Sequence, residues 1–190
     1  LTRLGAALVK HSDKAAANIF RLLLLTGARR GEVQAAKWAA FDLENGVWTK
    51  PASTTKQGKI HRIPLNAPAQ LLLAGLRKAA ADDAEYLFPG RFGGHRVELK
   101  ADWAAVCKAA RIKDARIHDL RHSFASVLAS SGHGLPVIGR LLGHATATTT
   151  QRYAHLQDDP LRRATETAGA IVTAANKPGA KVVPLKGTRR

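Results

Sequence analysis

Apolar residues recur at helical spacing over most of this chain, and short alternating runs interrupt them in one region. Ile19, Leu22, Leu23 and Thr26 fall on one helical face behind Ser12-Asp13. A helix is therefore predicted over 14–26, capped by the Ser/Asp pair and ended by Gly27. A short helix is expected over 31–37. The pattern then switches to Phe41-Asp-Leu, Val47-Trp-Thr and 60–65, three short strands forming a small antiparallel sheet. Glu44-Asn45-Gly46 supplies the first tight turn, since Asn-Gly suits positive φ. Residues 53–59 form the next. Helical spacing returns over 66–81, with Asn66 as cap and Pro68 in the first turn. Further helices are expected over 98–110, 118–131, 136–143, 146–156 and 160–175, with a loop over 87–94. The predicted fold class is α+β, mainly helical, with a three-stranded antiparallel sheet.

Charge sharpens this picture. Thirty Lys and Arg stand against fourteen Asp and Glu, a formal charge of +16. So large an excess repels itself and points to a polyanionic partner, nucleic acid first, because basic surfaces gain from releasing condensed counterions. Cys107 is the only cysteine, so neither an internal disulfide nor a CxxC metal pair is available. That suits a reducing cytoplasm. The apolar run around 22–25 is too short to span a bilayer, and residues 1–10 lack the apolar stretch of a signal peptide. From Lys177 on, Pro178, Gly179, Pro184 and Gly187 accompany five basic residues and no acid. The domain is placed at 1–176, with a basic flexible tail over 177–190.

Single polar residues mark nothing here. Arg29 reads as a loop arginine and Lys56 as an exposed turn lysine. His118 and Arg121, three apart, share a helix face. His144 reads as a helix C-cap, and Tyr153 as a half-buried aromatic. The ordered set is more informative. It comprises Thr26-Gly-Ala-Arg-Arg-Gly-Glu32, Thr55-Lys-Gln-Gly-Lys59 with Ile63-Pro-Leu65, His118-Asp-Leu-Arg-His122, Leu141-Leu-Gly-His144 and Arg152-Tyr153.

With these motifs in this order, the chain resembles the tyrosine recombinases, or phage integrases, over about 4–156. The resemblance implies site-specific cleavage and rejoining of DNA through a covalent 3′-phosphotyrosyl intermediate, in integration or excision of a prophage or mobile element. It makes Tyr153 the nucleophile. Arg29 and Arg121 would hold the non-bridging oxygens of the scissile phosphate, a task suited to forked, permanently charged guanidinium groups. His118 would accept the tyrosine proton or donate to the phosphate, and His144 would bond a phosphate oxygen. Lys56 would protonate the departing 5′-oxygen. Glu32 would be structural, orienting His118 or its loop. No cofactor is expected: two arginines and a lysine supply the positive charge of a metal, and exchanging one phosphodiester for another needs no ATP.

The partners implied are double-stranded DNA and further copies of the chain, a tetramer on DNA at full length, in the cytoplasm at the nucleoid, with no membrane. Family members usually place a helical core-binding domain before the catalytic one. The segment ahead of Thr26 is too short to hold it, so weak DNA binding is expected of these residues alone. Two rivals stay open: a type IB topoisomerase-like strand breaker, and a non-catalytic helix-turn-helix regulator built on 131–143.

Overall fold

The computed structural model describes residues 1–55, 58–156 and 160–175. The 177–190 tail and the Lys56 position lie outside them. The chain opens with α1 (Thr2–Lys10), which the sequence reading passed over; its Leu4, Ala7 and Leu8 are spaced at i, i+3, i+4 and buried. The helix α2 (Lys14–Thr26) starts as expected, with Asp13 Oδ1 accepting the Ala16 N–H at 2.9 Å. It buries Ile19, Phe20, Leu22 and Leu23, each contributing roughly 1.5–3 kcal/mol. Gly27 ends it at φ 63°. A Cβ there would sit 2.4 Å from the Phe124 ring, so both backbone and packing demand glycine.

α3 (Arg30–Gln34) is shorter than the expected 31–37. Residues 36–38 instead run beside 85–87, with Leu87 N–H donating to Ala36 O at 2.8 Å and Trp38 N–H to Glu85 O at 3.0 Å. Those bonds compete with another helical turn. The sheet follows: β1 (Phe41–Asp42), β2 (Val47–Lys50) and β3 (His61–Pro64), antiparallel in that order. Trp48 pairs with Ile63 and Lys50 with His61. The alternation in β2 turns Trp48 and Lys50 inward.

α4 (Ala67–Ala79) is capped by Asn66 as expected. α5 (Lys100–Ala110) packs against α1 and α2, its Trp103 ring edge-on to Phe20 with centroids 5.0 Å apart. Arg96 ties the starts of α2 and α5 together, bonding Asp13 at 2.7 Å and Asp102 at 2.9 Å. α6 (Asp119–Ser130) and α7 (Leu135–Leu142) come next. The helix expected over 146–156 is broken. α8 (Ala147–Gln151) stops, a turn carries Arg152 and Tyr153, and 3-10 geometry resumes over Ala154–Leu156. Three consecutive threonines, 148–150, weaken that helix, and the turn lets Tyr153 point inward. α9 (Pro160–Ala175) closes the described chain.

The apolar interior has two parts. The larger joins α1, α2, the sheet, α4 and α5. The smaller is Ala125, Ala129, Ile138, Leu142 and Tyr153, with Phe124, Leu128, Leu135 and Leu156 against it. The polar side chains that follow sit where α2 meets α6 and α7, between these two clusters.

Candidate active site

Arg29 stands at the junction of α2 and α3. Glu32, one turn into α3, reaches back to it: Oε2 accepts the Arg29 backbone N–H at 3.0 Å and Oε1 accepts Nη1 at 2.8 Å. This is the carboxylate half of a capping box. Arg29 Nη2 donates to the Gly143 carbonyl at 3.3 Å, joining the Thr-Gly-Ala-Arg segment to the Leu-Gly-His segment. Lys50 comes to the same carboxylate from β2, Nζ to Oε2 at 2.8 Å, with the Lys50 and Glu32 side chains 1% and 2% exposed. Burial works against the Glu32 charge, but Lys50 and then Arg29 outweigh it and hold the carboxyl below its ordinary range. Lys50 is pushed down by burial, with Glu32 opposing and Arg121 and Arg29 adding to the fall.

Glu32 thus orients Arg29 and Lys50, and His118 is not among its hydrogen-bond partners. Of the two expectations for this structural residue, that it orients His118 or its loop, the first is corrected, and the bonds to Arg29 fit a supporting role at the α2–α3 junction. A carboxylate at the third helical position reaches its own cap and a neighbouring strand, and its oxygens are taken by Arg29 and Lys50.

Arg121 is 4% exposed. Nη1 donates to Gly27 O at 2.8 Å and Nη2 to Leu142 O at 2.7 Å. Both carbonyls lie at helix C-termini, where the dipole favours a cation. Burial and then the neighbouring Arg29 push its pKa down to about 10, still charged at neutral pH. Three cations, Arg29, Lys50 and Arg121, share one carboxylate, Glu32. These four side chains carry an excess of two positive charges, which a phosphodiester gaining charge in its transition state would neutralise.

Gly143 holds its place for two reasons. Its φ is 65°, and a Cβ there would meet the His61 ring at 2.9 Å. His61, from β3, bonds the Arg140 carbonyl through Nε2 at 2.7 Å. His144 follows, its Nδ1 2.7 Å from Thr150 Oγ1. With Thr150 donating, the proton sits on Nε2, the tautomer able to donate to an anionic oxygen. Burial, then Arg121 and Arg29, push His144 down to about 4.

His118 precedes α6 and packs edge-on against His122, ring centroids 5.0 Å apart. Burial, then His122 and Arg121, lower its pKa. Tyr153 is 5% exposed, and its hydroxyl lies 2.7 Å from His122 Nδ1. Burial raises its pKa, while Arg152 and Arg121 oppose the rise. The structure therefore gathers Arg29, Glu32, His118, Arg121, His144 and Tyr153 around one junction. Three residues the sequence reading did not single out join them: Lys50, His122 and Thr150. Alternation with Trp48 marked Lys50 as inward-facing, and His122 shares a helix face with His118 at i+4. Among the described residues, no group of three or more His, Cys, Asp or Glu side chains is placed to hold a metal ion.

A mainly helical domain with a three-stranded sheet and this arginine-histidine-tyrosine junction is the catalytic-domain fold of the tyrosine recombinases. The chain belongs to the phage integrase family, whose profile matches residues 3–159. It is 32% identical over 155 residues to the tyrosine recombinase XerC of Xanthomonas campestris pv. campestris strain B100, covering 79% of this chain and 47% of that protein. It is 31% identical over 157 residues to the tyrosine recombinase XerA of Pyrococcus furiosus, covering 80% and 54%. A crystal structure of the XerH site-specific recombinase bound to its difH substrate superposes with a TM-score of 0.68 at 25% identity, over 86% of this chain and 51% of that one. The chain spans about half the length of the curated relatives it matches. No helix among the described residues is long and apolar enough to cross a membrane.

Proposed function

We propose that residues 1–176 are the catalytic domain of a site-specific DNA recombinase that cuts and rejoins duplex DNA through Tyr153. The observation that carries this reading is the convergence of Arg29 and Arg121 on the Gly143 and Leu142 carbonyls, beside the Tyr153 hydroxyl held by His122, the residue after Arg121. The Tyr153 oxygen attacks phosphorus, the bond to the 5′-oxygen breaks, and the 3′-phosphate stays on tyrosine. A free 5′-hydroxyl from another strand then reverses the step, so phosphodiester energy is conserved.

Arg29 and Arg121 hold the non-bridging oxygens, each already oriented by backbone carbonyls or Glu32. His144 Nε2 donates to one of those oxygens, and His118 completes the histidine wall. Lys56, which lies between β2 and β3 in the sequence, protonates the leaving 5′-oxygen. The substrate is double-stranded DNA, and the working form at full length is a homo-oligomer, a tetramer on DNA, in the cytoplasm at the nucleoid. The described side chains of α9, over 164–174, are exposed. Its apolar Ala168, Ile171 and Val172 therefore suit docking on a second copy of the chain.

The test begins with the intact protein and a pool of nicked duplexes of randomised sequence. DNA retained on denatured protein identifies the site. Two plasmids bearing that site then exchange their flanking segments. Relaxation of supercoils without exchange would favour the topoisomerase-like alternative, and the absence of both retention and exchange would overturn the proposal.

A further inference from the structure

We propose that His122 is a further catalytic residue, the base that takes the Tyr153 proton during strand cleavage and returns it during rejoining. This rests on the recombinase reading above and assigns a step that the family motif gives to His118.

The geometry points to His122 because its Nδ1 lies 2.7 Å from the reacting oxygen of Tyr153, within direct proton-transfer reach. His118 meets the ring of His122, with centroids 5.0 Å apart and planes nearly perpendicular. His118 thus buttresses the imidazole that holds the hydroxyl. The backbone fixes this arrangement. His122 follows Arg121 on α6, and Arg121 is pinned by Gly27 and Leu142 carbonyls, so α6 presents the base beside the phosphate-binding guanidinium. Tyr153 is 5% exposed and its ring belongs to the cluster of Ala125, Ala129, Ile138 and Leu142, while its hydroxyl has the His122 imidazole as hydrogen-bond partner.

The resting protonation states are the ones from which the step starts. Burial raises the phenol above its ordinary pKa, so it needs a base to become a nucleophile. Burial and then Arg152 lower His122, with Arg121 and Arg116 adding to the fall and Asp119 opposing it. The imidazole is therefore neutral at neutral pH and able to accept. With its own proton on Nε2, Nδ1 accepts the phenolic O–H. As Tyr153 Oη bonds to phosphorus, that proton moves to Nδ1, giving an imidazolium. The phosphorus–5′-oxygen bond breaks, and the leaving oxygen takes a proton from the general acid, the role given to Lys56. On rejoining, a 5′-hydroxyl gives its proton back to that acid, and the departing phenolate recovers its proton from His122.

The test is single-turnover cleavage by the intact protein on the duplex recovered from the randomised pool. It compares wild type, His122→Gln and His122→Ala, each with Tyr153 or with 2,3-difluorotyrosine in its place. Fluorination lowers the phenol pKa and reduces its need for a base. Glutamine can hold the hydroxyl by a hydrogen bond but cannot take its proton. Both His122 variants should cleave about 10²–10³-fold more slowly while binding the duplex within about twofold of wild type. Difluorotyrosine should restore about tenfold or more of the loss in the variants and change wild type little. Wild-type adduct formation with an undiminished His122→Gln rate would overturn this inference alone. So would a rate loss that fluorination does not relieve, because a merely structural role predicts it. If His122→Ala fails to fold by circular dichroism, His122→Gln decides. Absence of adduct with wild type would overturn the recombinase reading and this inference with it.

Discussion

Lys50 reaches the Glu32 carboxylate from the sheet while Arg29 reaches it from the helix junction, and the Lys50–Glu32 pair is shut away from solvent. A buried pair is costly to break, because removing one partner strands the other. Lys50→Met is expected to destabilise the domain by about 3 kcal/mol in urea denaturation. Combined with Glu32→Gln it should cost less than the sum of the two by at least about 1 kcal/mol. Additivity within about 0.5 kcal/mol would show that the two residues do not act as a pair.

The histidines make stability depend on pH with a definite sign. His144 is held near 4 in the folded chain, against about 6.5 unfolded. Between those values the unfolded chain binds more protons. The contribution is therefore fully present above about 6.5 and is lost as pH falls towards 4. His61, His118 and His122, also lowered, act in the same direction. His144→Gln should flatten this slope. Imidazole NMR signals of His144 should titrate near 4; titration near 6.5 would contradict the arrangement.

Removing 160–190 should leave the melting temperature nearly unchanged, because the described α9 side chains from 164 to 174 face solvent, and should weaken duplex binding only through the seven basic residues lost with one acid. The same deletion should abolish exchange between two plasmids. A deletion variant that recombines normally would remove the docking role, and one that unfolds would place α9 in its own core.

Binding by residues 1–190 alone should be weak and nearly indifferent to sequence. An excess charge of +16 favours phosphate contacts, which position without specifying. Fluorescence anisotropy on a labelled duplex should show affinity falling about 10³-fold between 50 and 200 mM salt. Tight, site-selective binding at physiological salt would refute this.

Periodicity made most of the fold legible. The α2 stripe, the Asn45-Gly46 turn and the Asn66 cap are local signals, and each element formed where its residues placed it. The misreadings differ in cause: α1 carries a local signal in Leu4, Ala7 and Leu8, whereas the other two are chiefly tertiary. α3 stops early because 36–38 bond to 85–87, and the 146–156 helix breaks so that Tyr153 can enter the cluster between α6 and α7. Arg29, Arg121, His144 and Tyr153 were visible only as an ordered set, since each alone reads as ordinary. The contacts of Lys50 and His122 were not visible, because they form across distant segments, strand to helix and helix to turn; that of Thr150 is local but depends on how the chain turns between His144 and α8. Gly27 and Gly143 mark helix ends in the sequence and cap α2 and α7 in the structure. The sequence did not show that their missing side chains make room for Phe124 and His61.

Covalent capture tests the role of Tyr153 most directly. The intact protein is incubated with its recovered duplex, nicked so that the released 5′-hydroxyl fragment diffuses away. The denatured adduct is digested and mapped by mass spectrometry. DNA should be found joined through a 3′-phosphate to Tyr153 and should be absent from a Tyr153→Phe preparation. An adduct on any other residue, or one that persists in Tyr153→Phe, would contradict the assignment.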